Sequence, residues 1–274
     1  MVWLRNRPFV AGSLLFNGYN NGGGSNFGDA VRLRLVNAAL QTQLHPLNSV
    51  LATVWTIDGW VQVSTSNNSS AVTSGANTGW TGSDIVVDWD VDGANNGGCG
   101  IGFADGRLTC GIGNTDGGGS ANNYSLTGTT DVRSATNWVH FRVVRNGQAL
   151  YLYIDGAEEA SELLTGVTGS GNIPLDVSTG GQGQNEYFVV GREKHGYTDG
   201  LRGGIFEIRV RGIADIGTYT VPAENTYMDT DQDTVLHWAF GNGEAIDLTA
   251  NGGDGEVRVE AGYPQQQDDY PWAA

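Results

Sequence analysis

Cysteine, proline, methionine and basic side chains are all scarce in this 274-residue chain. Two cysteines are too few for a disulfide framework. They sit in CGIGFADGRLTC, Cys99 to Cys110, which reads as a hairpin turning at Asp105-Gly106. That turn puts Phe103 opposite Leu108, Ile101 opposite Cys110 and Cys99 opposite Ile112, so the two sulfurs are diagonal neighbours in the core, expected as buried free thiols with a strained disulfide as the alternative, and the spacing does not resemble a zinc site. Only 14 Lys and Arg stand against 30 Asp and Glu, a formal net charge of -16. Phosphate backbones and anionic lipid would repel such a chain, which argues against nucleic acid as a partner. No apolar run is long enough to span a bilayer as a helix, which argues against membrane insertion of that kind. The opening MVWLRNRPFVAGSLLF lacks the sustained apolar stretch of a secretory signal. Read from Met1, the chain is expected to be made in a cytoplasm and not exported by the general route.

What the chain does have is glycine, 43 residues of it, with eight Trp and short alternating segments. Strand patterns recur near GSLLFNG, AVRLRLV, VWTIDGWVQVS, DIVVDWDVD, CGIGFA, RLTCGIG, WVHFRVVR, ALYLYIDG, EYFVVGR and GIFEIRVRG. Asn/Gly/Ser loops separate them. A short helix is expected around Ala157 to Leu164. The clearest alternation is NWVHFRVVRNGQALYLYIDGAEEA. Val139, Phe141, Val143, Leu150, Leu152 and Ile154 share one face, and His140, Arg142, Tyr151 and Tyr153 the other. A two-residue turn at Asn146-Gly147 would pair Arg145 with Gln148. Arg142 would then face Tyr151, and His140 would face Tyr153. The first pair puts a cation beside an aromatic ring on the non-core side.

In order along the chain, LLFNGYNN with GDAVRLRL, WTIDGWVQVS, the hairpin just quoted, and YFVVGREKHGYTDGLRGGIFEIRVRG resemble the blocks of laminin-G-like, concanavalin-A-like domains of bacterial and phage proteins. The resemblance implies an all-β fold, a two-sheet antiparallel jelly-roll sandwich. It implies roles in carbohydrate or protein binding, sometimes with calcium, and in distant branches glycan cleavage. The organisation expected from it is an N-terminal docking segment over 1–11, the jelly roll over 12–215, and a β-rich extension over 216–274 packed on the same sandwich.

DWDVDG places Asp88, Asp90 and Asp92 at alternate positions. As a glucanase-like catalytic strand this is poor. The outer two would stand about 13 Å apart in a regular strand, whereas a retaining mechanism needs about 5–5.5 Å. As a calcium loop it lacks the bidentate Glu twelve positions in, where Cys99 stands. A calcium site of another kind at Asp88, Asp90 and Asp92 stays open as the one cofactor expectation. The plainer reading is a solvated acidic strand. Asp229, Asp231 and Asp233 repeat the pattern in a loop and are read the same way. No nucleophile elbow, phosphate loop or His-Glu-x-x-His motif occurs, so no catalytic residue is assigned. Sugar recognition needs flat apolar faces with polar groups beside them. Trp80, His195 and Tyr197 lie in loops, where a rigid sandwich commonly binds, and join Arg142 and Tyr151 as carbohydrate-binding candidates. The opposing reading is that a loop aromatic folds back onto its own base.

A domain of this kind without an export signal suggests a virion protein, made in the host cytoplasm and displayed on a particle surface. The leading expectation is a non-enzymatic capsid decoration protein or adhesin, with a glycan-binding or protein-docking jelly roll. Its partners would be capsid or other virion proteins, cell-surface glycans, and further copies of itself in a homo-oligomer. The alternatives are a secreted or surface carbohydrate-binding protein acting extracellularly and, less favoured, a glycan lyase or glucanase.

Overall fold

A computed structural model describes residues 13–17, 30–34, 54–65, 71–77, 79–88, 100–112, 124–164, 186–191, 200–222, 227–241, 244–249, 256–258 and 265–267. The strands are β1 (Ser13–Asn17), β2 (Ala30–Arg34), β3 (Val54–Val63), β4 (Asp84–Asp88), β5 (Gly100–Ala104) and β6 (Arg107–Ile112). There follow β7 (Tyr124–Thr127), β8 (Val139–Asn146), β9 (Ala149–Ile154), β10 (Ala157–Leu163) and β11 (Glu186–Val190). The last are β12 (Arg202–Arg211), β13 (Thr234–Gly241), β14 (Glu244–Asp247), β15 (Glu256–Arg258) and β16 (Gln265–Gln267). The larger sheet runs β10-β9-β8-β3-β12-β1-β16, with β13 also on β12 and β14 on β13. The smaller runs β15-β2-β11-β4-β5-β6-β7. The strand pairings are antiparallel. The architecture is the two-sheet jelly-roll sandwich that the family resemblance implies. β13 to β16, from the segment after residue 215, pair into both sheets.

Alternation explains the core. Trp55, Ile57, Val61 and Val63 of β3, Val139, Phe141 and Val143 of β8, and Leu150, Leu152 and Ile154 of β9 project inward. They meet Val86, Val87, Ile101, Phe103, Leu108, Cys110 and Ile112 of the smaller sheet. Full burial of each such large side chain contributes about 1.5–3 kcal/mol. Phe103 pairs with Leu108 and Ile101 with Cys110, as the Asp105-Gly106 turn requires. Cys99 lies outside the described residues.

Two local expectations change. The first is the helix at Ala157 to Leu164. Asp155 and Gly156 have φ of 46° and 82°, the doubly left-handed pair of a type I′ turn, which returns the chain along β9 as strand β10. The second is the turn after β8. Asn146 pairs with Ala149, so the turn residues are Gly147 and Gln148. Only Gly147 has a positive φ there, 62°, which suits the first central position of a II′ turn and not an Asn-Gly I′ turn. The register therefore moves: Arg142 faces Tyr153, and Val144 faces Tyr151.

A third correction concerns Trp80. It sits in a 3-10 turn, Gly79–Gly82, and is fully buried rather than offered to a ligand. Its segment crosses the outer face of the smaller sheet. Gly75 exchanges backbone hydrogen bonds with Ser125, and the Trp80 N–H donates to Ser125 Oγ at 3.2 Å. The indole then lies on a floor made by Gly100 and Gly111, where an added methyl group would overlap the ring. Gly111→Ala should therefore cost about 3 kcal/mol by overpacking. Urea unfolding measures this, and a loss under about 0.5 kcal/mol, the ordinary scatter of surface changes, would show that the indole is not seated there.

Candidate functional site

The non-core face of the larger sheet is not an outer surface. Its side chains are polar and buried: Asp58 and Thr56 on β3, His140 and Arg142 on β8, Glu207 and Arg209 on β12, and His237 on β13. Strand register sets them in a row. Tyr153, Arg142, Asp58, Arg209 and His237 are successive cross-strand partners from β9 to β13. Side chains opposite one another on one face of a sheet are close enough to interact directly.

Asp58 is the centre of the row. Arg209 grips it in a fork, Nε to Oδ1 at 3.0 Å and Nη2 to Oδ2 at 2.8 Å. Arg142 Nη2 lies 3.5 Å from the same Oδ2. Burial alone would raise the Asp58 carboxyl. The Arg209 hydrogen bonds and the surrounding positive charge outweigh that and hold it below its usual value.

The face is covered by chain that runs from the end of β12 toward β13, over residues 212–222 and 227–233, here called the clasp. Thr56 Oγ1 donates to the Ile213 carbonyl at 2.7 Å and accepts from the Asp215 N–H at 3.0 Å. Asp215 Oδ2 meets Arg211 Nη1 at 2.7 Å and Arg142 Nη1 at 3.1 Å. The Gly217 N–H donates to Tyr153 Oη at 3.0 Å. Tyr219 Oη bonds His140 Nδ1 at 2.7 Å, and the Tyr219 ring lies under the Arg142 guanidinium, 3.6 Å from Cζ to centroid. Further along, the Met228 N–H donates to Glu207 at 3.0 Å, Met228 Sδ lies 3.3 Å from His140 Nε2, and Arg209 Nη1 donates to the Asp229 carbonyl at 2.7 Å. Asp231 takes Arg211 Nη2 at 2.6 Å.

Thr230 Oγ1, His237 and Glu207 form a line of 3.1 Å and 2.7 Å contacts. The order hydroxyl–imidazole–carboxylate matches an acyl-transfer triad. Here the imidazole and the carboxylate have no exposed side-chain surface, and Glu207 also accepts the Met228 N–H. The line ties clasp to sheet.

Of the binding candidates, Arg142 is buried and Tyr151 half-buried. The Arg142 guanidinium does lie on an aromatic ring, but on that of Tyr219 instead of Tyr151. Trp80 is on the opposite sheet. His195 and Tyr197 lie outside the described residues. Asp88 is buried in β4, while Asp90 and Asp92 lie outside the described residues. Among the described residues no three His, Cys, Asp or Glu side chains are grouped to hold a metal ion. Asp231, from the second Asp triplet, accepts the Asp233 N–H and the Thr234 hydroxyl besides Arg211. Asp58, Glu207, Arg209, Tyr219 and Met228 carried no sequence signal beyond polar positions in alternating strands and a stretch without period.

No family model matches the chain, and no curated protein matches it. Solved structures similar to it include a proposed carbohydrate binding protein from Bacteroides ovatus, at 12% identity and a TM-score of 0.46. That match covers 93% of this chain and 60% of the Bacteroides protein, so the chain spans about 60% of its length. A native heptameric SAP-like pentraxin from Limulus polyphemus matches at 14% identity and a TM-score of 0.44, over 76% of this chain and 79% of that one. The IT-sialidase CBM40 of Ruminococcus gnavus, bound to α2,3-sialyllactose, matches at 14% and 0.43, over 74% and 94%. At such identities and scores these likenesses do not decide what this chain binds.

His140 makes the site sensitive to acid. Burial pushes its pKa down from 6.5 to about 4; the Asp58 charge opposes this, and Arg142 and Arg209 add to it. The unfolded chain takes up this proton as pH falls through the ordinary histidine range, while the folded chain does so only near 4. The stabilisation is thus complete above the ordinary value and is lost as pH falls to the folded one. It is on the order of 3 kcal/mol. Unfolding free energies measured across that range should fall by about this much more in the native sequence than in His140→Gln; parallel pH profiles would refute the assignment.

Proposed function

We propose that the chain is a non-enzymatic, glycan-binding jelly roll, carried on a virion surface as a decoration protein or adhesin. The observation that carries the non-enzymatic part is the use made of the acid–base groups. The two described histidines, His140 and His237, and the acids beside them, Asp58 and Glu207, are fully buried. Each is engaged with the clasp or with a neighbouring arginine. A glycosidase needs two carboxyl groups facing the scissile bond, and no sugar reaches Asp58 or Glu207 beneath the clasp. Both sheets are covered on at least part of their outer faces, the larger by the clasp and the smaller by Trp80. Recognition then falls to what stays uncovered, the loops at the rims, the usual place for it on a rigid sandwich, and the half-buried Tyr151 on β9. An acidic, glycine-rich chain with few cysteines suits a particle surface.

The full chain on a glycan array should bind a limited set of glycans without altering them. Tyr151→Ala, which changes the half-buried aromatic candidate, should weaken that binding by about tenfold, the scale of one aromatic contact. Release of reducing ends or unsaturated sugars from any bound polysaccharide would contradict the reading. Binding to purified particles with no glycan retained would keep the virion role and remove the glycan.

A further inference from the structure

We propose that the clasp, residues 212–222 and 227–233, is an acid-released cover: as pH falls it opens off the larger sheet while the sandwich stays folded. The two parts of the molecule are held by different physics. The sheets meet through apolar side chains, whose burial does not depend on pH. The clasp is held mainly by polar side chains. Among the described residues its backbone–backbone bonds include Gly212 N–H to the Asp233 carbonyl at 2.8 Å, Thr234 N–H to the Asp231 carbonyl at 3.2 Å and Tyr219 N–H to the Gly156 carbonyl at 3.3 Å. Thr56, Tyr153, His140, Glu207, His237, Arg142, Arg209 and Arg211 supply the remaining anchors described above.

His140 is the anchor whose protonation is set against the clasp. It is faced by Asp58 and the Trp60 ring from β3, by Arg142 on its own strand, by Asp155 from the turn after β9, by Arg209 from β12, and by Tyr219 and Met228 of the clasp. A neutral imidazole suits these partners, since one ring nitrogen can share a hydrogen with Tyr219 Oη. An imidazolium must donate from both nitrogens. One donor would then point at Met228 Sδ, a weak acceptor. It would also place a third positive charge beside Arg142 and Arg209 around the single carboxylate of Asp58. Moving Tyr219 and Met228 away admits water to both nitrogens. Asp58 and Asp231 are held below the usual carboxylate range and keep their charge over this interval. The Asp155 carboxyl is raised by burial and acts in the opposite sense. It accepts the His140 backbone N–H and does not hold the clasp.

Met228 is a built-in reporter. It is buried, and Met1 is the other methionine of the chain. Oxidation of Met228 by hydrogen peroxide, followed by peptide mass in the full chain, should accelerate on the order of 20-fold from pH 7 to pH 5. The rate should be insensitive to low urea, since a local opening exposes little surface. Tyr219→Phe, which keeps the ring and removes the hydroxyl, should speed oxidation at pH 7 without changing the near-ultraviolet signal of the core tryptophans. His140→Gln should flatten the pH profile. An oxidation rate that is flat with pH in the native sequence, or that rises with urea as steeply as global unfolding, would overturn the proposal.

Discussion

The larger sheet depends on one buried ion pair. Asp58 has no exposed surface, and Arg209 holds both of its oxygens from the neighbouring strand. A carboxylate removed from water costs several kcal/mol unless it is paired and hydrogen-bonded. Here the pairing comes from two sides, Arg209 on β12 and Arg142 on β8, and Arg209 Nη1 also donates to the clasp carbonyl of Asp229. The pair therefore fixes the register of three strands and the position of the cover. Arg142 is left with Nε and Nη1 lacking a hydrogen-bond partner among the described residues, a cost offset by the Tyr219 ring and the nearby Asp215 charge.

The two sheets solve the problem of their outer faces differently. On the smaller sheet, glycines clear a floor and Trp80 fills it, so the seal is made by shape. On the larger sheet, ionic and hydrogen-bonding side chains stand up and a length of chain lies over them, so the seal is made by polarity. A shape seal is indifferent to pH. A polar one is not, because its strength depends on which groups carry charge. Edge protection follows the same economy. β10 ends the larger sheet with a bulge at Glu159, whose carboxylate caps the Thr129 and Thr130 N–H groups at 3.0 and 2.8 Å.

Most of the sandwich was legible in the sequence, because a period of two states which residues share a face. The inward set of β8 and β9 follows directly from it. Turn chemistry was legible only where both residues named the turn. Asp105-Gly106 did so. Asp155-Gly156 carried the same signal, yet the Glu- and Ala-rich run after it resembled a helix. At Asn146-Gly147 the favoured turn dipeptide was present, but the chain turned one residue later, and this moved Arg142 from Tyr151 to Tyr153. The buried polar layer was least legible. Alternation marks a side as polar, and polar sides are ordinarily wet. What buries this one is Tyr219 and Met228, 79 and 88 residues beyond His140, in a stretch with no periodicity to announce contact. Trp80 was misread for the matching reason, since its glycine floor lies on two strands distant in sequence.

The most direct test of this account is a double-mutant cycle on the central pair, Asp58→Asn with Arg209→Gln, read as unfolding free energy at neutral pH. A buried pair that organises the sheet predicts that each single change costs about 3 kcal/mol or more, and that the double change costs little more than either one. The coupling would then be about 3 kcal/mol. Additive losses, with coupling below about 0.5 kcal/mol, would mean that the pair is incidental and that the clasp and the sheet are held together by something else.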